Sequence, residues 1–284
     1  MEWISKSNIL IVGLGLMGGS YAQALKRLGY HVSALDIQQE SIDFALEQGI
    51  IDEGSSTLNE ELVSCADAVI FGLYPGVFKE WIRNYQHLFK PGAMLTDVTG
   101  VKSCIVYDIQ AMLRPDVEFI AAHPMAGREV YGVKNATSRM FHDANYIVTP
   151  TEKNTPQAIE WCKSLGQILG FHTVCVLSPE EHDEMVGFVS QLTHVIAVSL
   201  MTCKDNEHLV EYTGDSFRDL TRIARINEEM WTELFLLNKE ELLKQIDIFD
   251  HELHALRSLL ASEDAEGIKE KMRLSTKRRA LFDR

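Results

Sequence analysis

The chain has 284 residues, of which 46% are apolar and 24% are charged. This composition is typical of a soluble globular protein and excludes a largely disordered chain. At roughly 150 residues per domain the length predicts about two domains, although a single α/β barrel has a similar size. The net charge of −14 repels nucleic-acid phosphates and anionic lipid surfaces, so we expect neither as a partner.

The sequence also predicts where the protein is located. Residues 1–8 (MEWISKSN) lack the basic start and apolar stretch of a secretory signal. The most apolar window, residues 186–203, is interrupted by polar side chains and falls short of a membrane span of about 20 residues, so we expect a buried helix there. The five cysteines are scattered without a CxxC pair, which favours a reducing compartment. We therefore expect a cytoplasmic protein.

Apolar strand-like runs alternate with helical periodicity through the first half of the chain, which predicts a parallel sheet flanked by helices. The predicted strands are 8–12, 31–35, 68–71, 94–96 and 119–121, with two more at 146–148 and 173–176 that we expect to extend the same sheet. The predicted helices are 17–28, 39–48, 77–89, 104–113 and 156–169. We expect these elements to form an α/β domain over residues 1–177.

After Ser178 glycine becomes rare, and apolar residues recur three and four apart to the end of the chain. Ser178 and Pro179 have the sequence of a helix start, with serine as N-cap and proline in the first turn. We expect an all-α domain over residues 178–284. Residues 234–260 carry more apolar side chains than a solvent-facing helix, which favours a homodimer interface over a monomeric helical core.

A GxGxxG turn follows the first predicted strand and opens the first helix, and the second strand ends about 20 residues later at Asp36. This context predicts a Rossmann-type dinucleotide site, with the pyrophosphate at the helix N-terminus. The predicted cofactor-binding residues are Gly13, Gly15, Leu16, Met17, Gly18 and Asp36. A carboxylate at Asp36 would accept from the ribose hydroxyls and repel a 2′-phosphate, so NAD is favoured over NADP. The alternative is that Asp36 is only a turn or helix-cap residue.

His123 is the best candidate for a general base. It follows a predicted strand, and the next residue, Pro124, fixes the backbone so that the imidazole is presented at the edge of the sheet. An imidazole with a pKa of about 6.5 can accept a hydroxyl proton near neutral pH as a hydride leaves. Together with the dinucleotide site, His123 predicts an oxidoreductase.

Four segments together resemble the TyrA family of prephenate and arogenate dehydrogenases: Gly13–Gly18, Asp97–Lys102, His123–Glu129 and Phe217–Ala224. The resemblance covers most of the chain. It implies a Rossmann domain followed by an all-α dimerisation domain, and NAD-dependent oxidative decarboxylation of prephenate to 4-hydroxyphenylpyruvate in tyrosine biosynthesis, without a metal. Arogenate, which carries an amine in place of the side-chain ketone, remains the rival substrate.

The resemblance also implies roles for single residues. It implies that His123 is the catalytic base, that His194 and Arg222 bind the substrate, and that Glu129 gates or orders the site. The arginine fork suits a carboxylate, and prephenate carries two. The alternatives are a core histidine at His194, a structural ion pair at Arg222 and a solvated charge at Glu129.

Three positions depart from the family pattern. The family serine that orients substrate and base falls on Gly100, so we expect Thr99, Ser103 or a water to supply the hydroxyl, and we place Thr99 in the catalytic group. Gln191 replaces the first histidine of the helical motif, and Thr193 replaces its proline. The competing functions are a β-hydroxyacid dehydrogenase, whose lysine motif has no convincing copy here, and a nonenzymatic NAD-sensing regulator.

Overall fold

The computed structural model of the protein describes residues 7–205 and 207–282. The absence of a secretory signal was predicted from residues 1–8, and residues 1–6 of that segment lie outside the described part of the chain. The strands are β1 (Asn8–Val12), β2 (His31–Leu35), β3 (Glu53–Ser55), β4 (Ala68–Phe71), β5 (Met94–Asp97), β6 (Glu118–Phe119), β7 (Ala121–Met125), β8 (Asn145–Thr149) and β9 (Thr173–Val176). The helices of the first half are α1 (Leu16–Arg27), α2 (Gln39–Glu47), α3 (Glu60–Cys65), α4 (Pro75–Tyr85), α5 (Ser103–Met112) and α6 (Pro156–Ile168). Those of the second half are α7 (Pro179–Val186), α8 (Leu192–Thr202), α9 (Leu209–Tyr212), α10 (Asp215–Thr221), α11 (Glu228–Leu237), α12 (Lys239–Ala261) and α13 (Ala265–Arg279).

Six strands form the predicted parallel sheet, in the order β3-β2-β1-β4-β5-β6. The central strands β1 and β4 are almost entirely buried, because helices cover both faces, and this explains their continuous apolar runs. The chain crosses from β3 back to β4 on the other side of β1. The carboxyl ends of β1 and β4 therefore border the crevice in which ligands bind to sheets of this topology.

The last three strands form a second sheet, in the order β7-β8-β9. The predicted extension of the parallel sheet is therefore wrong, since β8 runs antiparallel to β7 and only the β8–β9 pair is parallel. The strand predicted at 119–121 is interrupted at Ile120: β6 pairs with β5, and β7 pairs with β8. Apolar periodicity identifies each strand but does not encode its direction. This arrangement places His123 in the middle of β7.

The second half is helical, as predicted, and starts with the predicted cap. The Ser178 side chain accepts from the backbone N–H of Glu181, and the Glu181 side chain accepts from the backbone N–H of Ser178. A π-helical turn, Gly187–Gln191, joins α7 to α8. β9 ends at Val176 and α7 begins at Pro179, and the division into domains 1–177 and 178–284 stays a prediction.

The continuous helical stretch Pro179–Thr202 is long and apolar enough, by length and composition alone, to cross a membrane. Only 28% of its most apolar window is buried inside the chain, so the predicted buried helix is wrong for this single chain. The apolar region predicted at 234–260 forms parts of α11 and α12, and most of its large side chains on α12 are exposed: Ile248, Leu253 and Leu260 are more than half accessible. These helices present an unpaired apolar surface rather than a closed monomeric core.

Candidate active site

The glycine turn lies at the crevice between β1 and β4. Gly13 has a φ of +95°, and a Cβ there would stand 2.6 Å from the carbonyl oxygen of Gly72, which follows β4. A Cβ on Gly18 would stand 1.9 Å from the carbonyl oxygen of Gly13. Gly15 is different, since a Cβ there meets nothing within 4 Å. Two glycines therefore allow close packing, while Gly15 leaves open the space in which a pyrophosphate would approach the backbone.

The start of α1 and Asp36 complete this candidate cofactor site. α1 begins at Leu16, and no side chain caps it, so its first N–H groups point towards the open space beside Gly15. Asp36 accepts from the backbone N–H of Leu14 at 2.6 Å and from that of Gln38 at 2.8 Å. The bond with Gln38 is the turn contact expected if Asp36 were only a turn or helix-cap residue. The bond with Leu14 also places Asp36 beside the glycine turn. Its carboxylate keeps acceptor capacity for a ligand hydroxyl.

His123 contacts a second histidine that the sequence analysis missed. Its Nδ1 lies 2.9 Å from Nε2 of His182 in α7, and Nδ1 of His182 lies 2.8 Å from Oδ1 of Asp183. The side chain of His182 is fully buried. Burial, together with the charge of Lys102 and the neighbouring His182, lowers the pKa of His123 well below its usual value. His123 is therefore a neutral imidazole at neutral pH, as a general base requires.

A buried ion pair holds the backbone beside His123. Lys102 Nζ lies 2.7 Å from Asp97 Oδ2, and neither side chain is accessible to solvent. Lys102 Nζ also donates to the carbonyl oxygen of Ala122 at 2.6 Å, and Asp97 Oδ1 accepts from the N–H of Ala122 at 3.1 Å. The ion pair is therefore hydrogen-bonded to both the backbone N–H and the carbonyl oxygen of Ala122, the residue that precedes His123. Burial lowers the pKa of Lys102, and the adjacent Asp97 opposes this shift.

The structure corrects the role expected for Thr99. Its hydroxyl donates to Asp97 and accepts from Lys102 Nζ at 3.1 Å, so it belongs to the buried ion-pair cluster rather than to the face of His123. Gly100 is the residue that adjoins the imidazole, since a Cβ there would lie 3.9 Å from Cε1 of His123. The side-chain hydrogen bond of His123 is made with His182 instead, between Nδ1 of His123 and Nε2 of His182.

The predicted substrate-binding residues lie on the helical side of the site. Nδ1 of His194 lies 2.9 Å from the carbonyl oxygen of Ser190, and its ring stacks on Trp231 with 3.6 Å between centroids. Burial lowers the pKa of His194, against the opposing charge of Glu129. Arg222 forms an ion pair with Glu129, and the Arg222 side chain is 64% exposed. The structure thus brings His194, Arg222 and Glu129 into one neighbourhood.

Helix α11 links this neighbourhood to His123. Trp231 stacks on His194, and Leu234, one turn later, is the closest side chain to the Cβ position of Gly100. Gln191 donates to the carbonyl oxygen of Leu234 at 3.1 Å and accepts from Asn238 at 2.8 Å. The glutamine that departs from the family motif therefore ties α11 to the helix that carries His182 and His194.

Sequence reasoning missed His182, Asp183 and Trp231, and the first two had a detectable signal. Pro179, His182, Asp183 and Val186 are spaced i, i+3, i+4 and i+7, which places them on one helix face, and all four are buried. Two titratable residues on an otherwise apolar face indicate a polar contact inside the protein. In residues 7–205 and 207–282, no group of three or more His, Cys, Asp or Glu side chains could hold a metal ion.

Comparison with known proteins places the chain in a family. Residues 21–175 match the family model of the prephenate dehydrogenase nucleotide-binding domain, and residues 178–274 match that of the prephenate dehydrogenase dimerization domain. Prephenate dehydrogenase of Bacillus subtilis is 32% identical over 93% of this chain and 72% of its own length. Cyclohexadienyl dehydrogenase of Zymomonas mobilis is 29% identical over 96% of this chain and 94% of its own length.

A solved structure is similar over the whole molecule. The crystal structure of prephenate dehydrogenase from Aquifex aeolicus, in complex with hydroxyphenyl propionate and NAD+, aligns with a TM-score of 0.90 at 33% identity. The alignment covers 99% of this chain and 100% of that one. The chain therefore belongs to the prephenate dehydrogenase family of NAD(P)-dependent oxidoreductases, with a nucleotide-binding domain followed by a dimerization domain.

Proposed function

We propose that this protein is an NAD-dependent prephenate dehydrogenase that converts prephenate to 4-hydroxyphenylpyruvate and carbon dioxide in tyrosine biosynthesis. The observation that carries the proposal is the half-buried, neutral His123, held by His182 and joined through α11 to an arginine and a histidine that suit a substrate with two carboxylates. The similarity to prephenate dehydrogenases over nearly the whole chain supports it.

His123 takes the proton in this reaction. Its Nε2 accepts the proton of the ring hydroxyl as the hydride leaves the same carbon, and the electrons of the ring carboxylate bond then aromatise the ring as carbon dioxide departs. NAD, when bound, supplies the hydride acceptor. The protein contributes the base, the orientation of the substrate and a site that excludes water. Leu234 against Gly100 closes the apolar side of that site.

Arg222 and His194 hold the substrate. Arg222 has five N–H donors and an exposed side chain, so it can donate to a carboxylate in a bidentate contact when Glu129 releases it. His194 is fixed by Trp231 and by the Ser190 carbonyl, which leaves its other nitrogen for the substrate. Glu129 forms an ion pair with Arg222 and so competes with the substrate carboxylate for this arginine, which is the basis of its proposed gating role.

Asp36 selects the cofactor. A carboxylate beside the glycine turn accepts from the ribose hydroxyls of NAD and repels the 2′-phosphate of NADP. The open space at Gly15 and the uncapped start of α1, formed by Leu16 and Met17, fit the pyrophosphate. The complex of the Aquifex aeolicus relative with NAD+ supports this choice.

The helical half forms a homodimer in the proposed enzyme. The exposed apolar side chains of α12 and the largely unburied stretch Pro179–Thr202 provide a surface that a second copy would cover, and the matching family model describes a dimerization domain. We also propose a cytoplasmic location, which the five unpaired cysteines support.

Initial rates of reduced-cofactor formation test the function, with prephenate and arogenate each offered with NAD and with NADP. We expect prephenate and NAD to be the preferred pair. His123→Asn should retain NAD binding and lose at least about a hundredfold in kcat, whereas Arg222→Ala should mainly raise the KM for prephenate.

The other outcomes are equally informative. Turnover with arogenate alone would refute the proposed substrate, and the relative with the broader name cyclohexadienyl dehydrogenase makes this the first alternative to measure. Equal efficiency with NADP would refute the role of Asp36. Cofactor binding without turnover of either substrate would instead favour a nonenzymatic NAD-sensing regulator.

A further inference from the structure

Three side chains form a continuous hydrogen-bonded series that ends on the proposed base. Asp183 Oδ1 lies 2.8 Å from Nδ1 of His182, and Nε2 of His182 lies 2.9 Å from Nδ1 of His123. Each histidine therefore uses Nδ1 for the bond that leads towards the carboxylate. Nε2 of His123 is the nitrogen that remains for a substrate.

The carboxylate at the start of this series is held in one orientation. Asp183 Oδ1 accepts from the backbone N–H of Lys102 at 2.8 Å, and Oδ2 accepts from that of Ser103 at 2.8 Å. These two N–H groups lie at the start of α5, where N–H groups that have no acceptor within the helix stabilise a negative charge. Burial tends to raise the pKa of Asp183, but the hydrogen bond from His182 and the contacts with Ser103 hold it below its usual value. Asp183 is thus an ionised carboxylate that can only accept.

The ionised state of Asp183 determines which ring nitrogens of His182 and His123 carry a proton. Because Asp183 only accepts, Nδ1 of His182 carries a proton, and burial, which lowers the pKa of His182, keeps that ring neutral. Nε2 of the neutral His182 is then an acceptor, so Nδ1 of His123 donates. The opposite tautomer of His123 would place two lone pairs face to face at 2.9 Å inside the protein.

We propose that His182 and Asp183 are positioning residues that fix His123 in the Nδ1–H tautomer, with Nε2 unprotonated and directed to the substrate hydroxyl. This inference rests on the proposed role of His123 as the base. His182 and Asp183 do not touch the substrate, and no proton moves along the series during the reaction.

The arrangement joins the two halves of the chain. His123 lies on β7, whereas His182 and Asp183 lie on α7, and Asp183 is anchored on α5. Asn238 of the helical half donates to the carbonyl oxygen of Asp183 at 2.9 Å and so braces α7 from the other side. The base therefore reaches its reactive tautomer only when the helical half is docked on the sheet.

The test compares two substitutions at one residue. His182→Leu removes the acceptor that faces His123, while His182→Gln can place its amide oxygen near the former Nε2 and accept from Nδ1 of His123. His87→Leu is the matched control, because His87 is an exposed histidine in a different part of the fold. NAD binding and the thermal midpoint of each variant report whether the fold is retained.

The tautomer is read directly from two-bond proton–nitrogen correlation spectra of protein labelled with 15N-histidine. The His123 signals are assigned by their loss in His123→Asn. We expect Nδ1–H in the native protein and in His182→Gln, and a mixture with the Nε2–H form in His182→Leu. In initial-rate assays we expect His182→Leu to lose at least about tenfold in kcat with KM for prephenate changed less than about twofold, and His182→Gln to recover most of the loss.

The failures of the two proposals are distinguishable. An Nε2–H tautomer in the native protein would overturn the positioning role, and so would a folded His182→Leu variant with native kcat and native tautomer. If His182→Leu does not fold, a His182→Gln variant with the Nε2–H tautomer and native kcat would overturn it. Absence of turnover by the native protein with any offered substrate would refute the proposed function and leave the tautomer measurement standing.

Discussion

Replacing Lys102 with methionine tests how much the buried ion pair beside His123 contributes to stability. The Lys102 and Asp97 side chains are inaccessible to solvent and lie 2.7 Å apart. Methionine has a similar length but no charge, so Lys102→Met leaves the Asp97 carboxylate buried without its cation, and it also leaves the Ala122 carbonyl without its donor. Removing one partner of a buried pair costs about 3–5 kcal/mol, which is a large share of the stability of a typical domain.

Urea denaturation followed by intrinsic tryptophan fluorescence measures this loss, since Trp161, one of the four tryptophans, is buried in the same half of the chain. The matched control is Lys79→Met, because Lys79 forms an ion pair of the same 2.7 Å length with Asp108, whose side chain is 61% exposed. An exposed pair contributes at most about 1 kcal/mol. The double variant Asp97→Asn/Lys102→Met should recover part of the loss, since no uncompensated charge remains. The reasoning is refuted if Lys102→Met and Lys79→Met shift the unfolding midpoint equally.

Three further predictions concern activity and cofactor binding. Because burial lowers the pKa of His123, kcat/KM for prephenate should stay constant around neutral pH and fall only as acid protonates the base, with a midpoint below about 6.5. A midpoint at or above that value would contradict a desolvated base. Gly15→Ala should fold normally and weaken NAD binding roughly tenfold, or about 1.4 kcal/mol, whereas Gly18→Ala should disrupt the fold, because its Cβ would stand 1.9 Å from the Gly13 carbonyl oxygen. Calorimetry measures the NAD affinity of each variant, and thermal melting measures its stability. Equal behaviour of the two variants would exclude the roles assigned to the two glycines. Glu129→Gln should lower the KM for prephenate by roughly twofold to fivefold in initial-rate assays, because the ion pair no longer competes for Arg222, and a higher KM would show that Glu129 helps to bind substrate.

The parallel sheet and the glycine turn could be predicted because their determinants are local. An apolar run, a glycine cluster and a helical repeat fall within about 30 residues, and the βαβ connection then fixes the handedness and direction. The antiparallel pairing of β7 with β8 could not be predicted in this way, because 19 residues of loop and short 3₁₀ helix separate the two strands and their periodicity is the same in either direction.

The same distinction between local and long-range determinants applies to the residues of the candidate site. His123 and the glycine turn could be predicted because each follows an apolar strand-like run in the sequence, although β7 continues through His123 to Met125 in the structure. His182 was missed because its partner is 59 residues away, and the Glu-rich segment around it has the composition of a solvated helix start. Thr99 was proposed because it neighbours Gly100, on which the family serine falls, but its hydroxyl is hydrogen-bonded to Asp97 and Lys102, a pairing that the sequence does not reveal.

The π-helical turn Gly187–Gln191 separates the two ends of one long helix. Each residue of an α-helix rotates the side-chain direction by about 100°, and a π-helical turn contains one residue more than an α-helical turn. His182, before the turn, contacts the base, and His194, after it, stacks on Trp231. Deleting one residue from the turn would rotate His194 away from Trp231 while leaving His182 in place. The extra residue therefore sets the angle between the directions in which His182 and His194 project from one helix, so that the first reaches His123 and the second reaches Trp231.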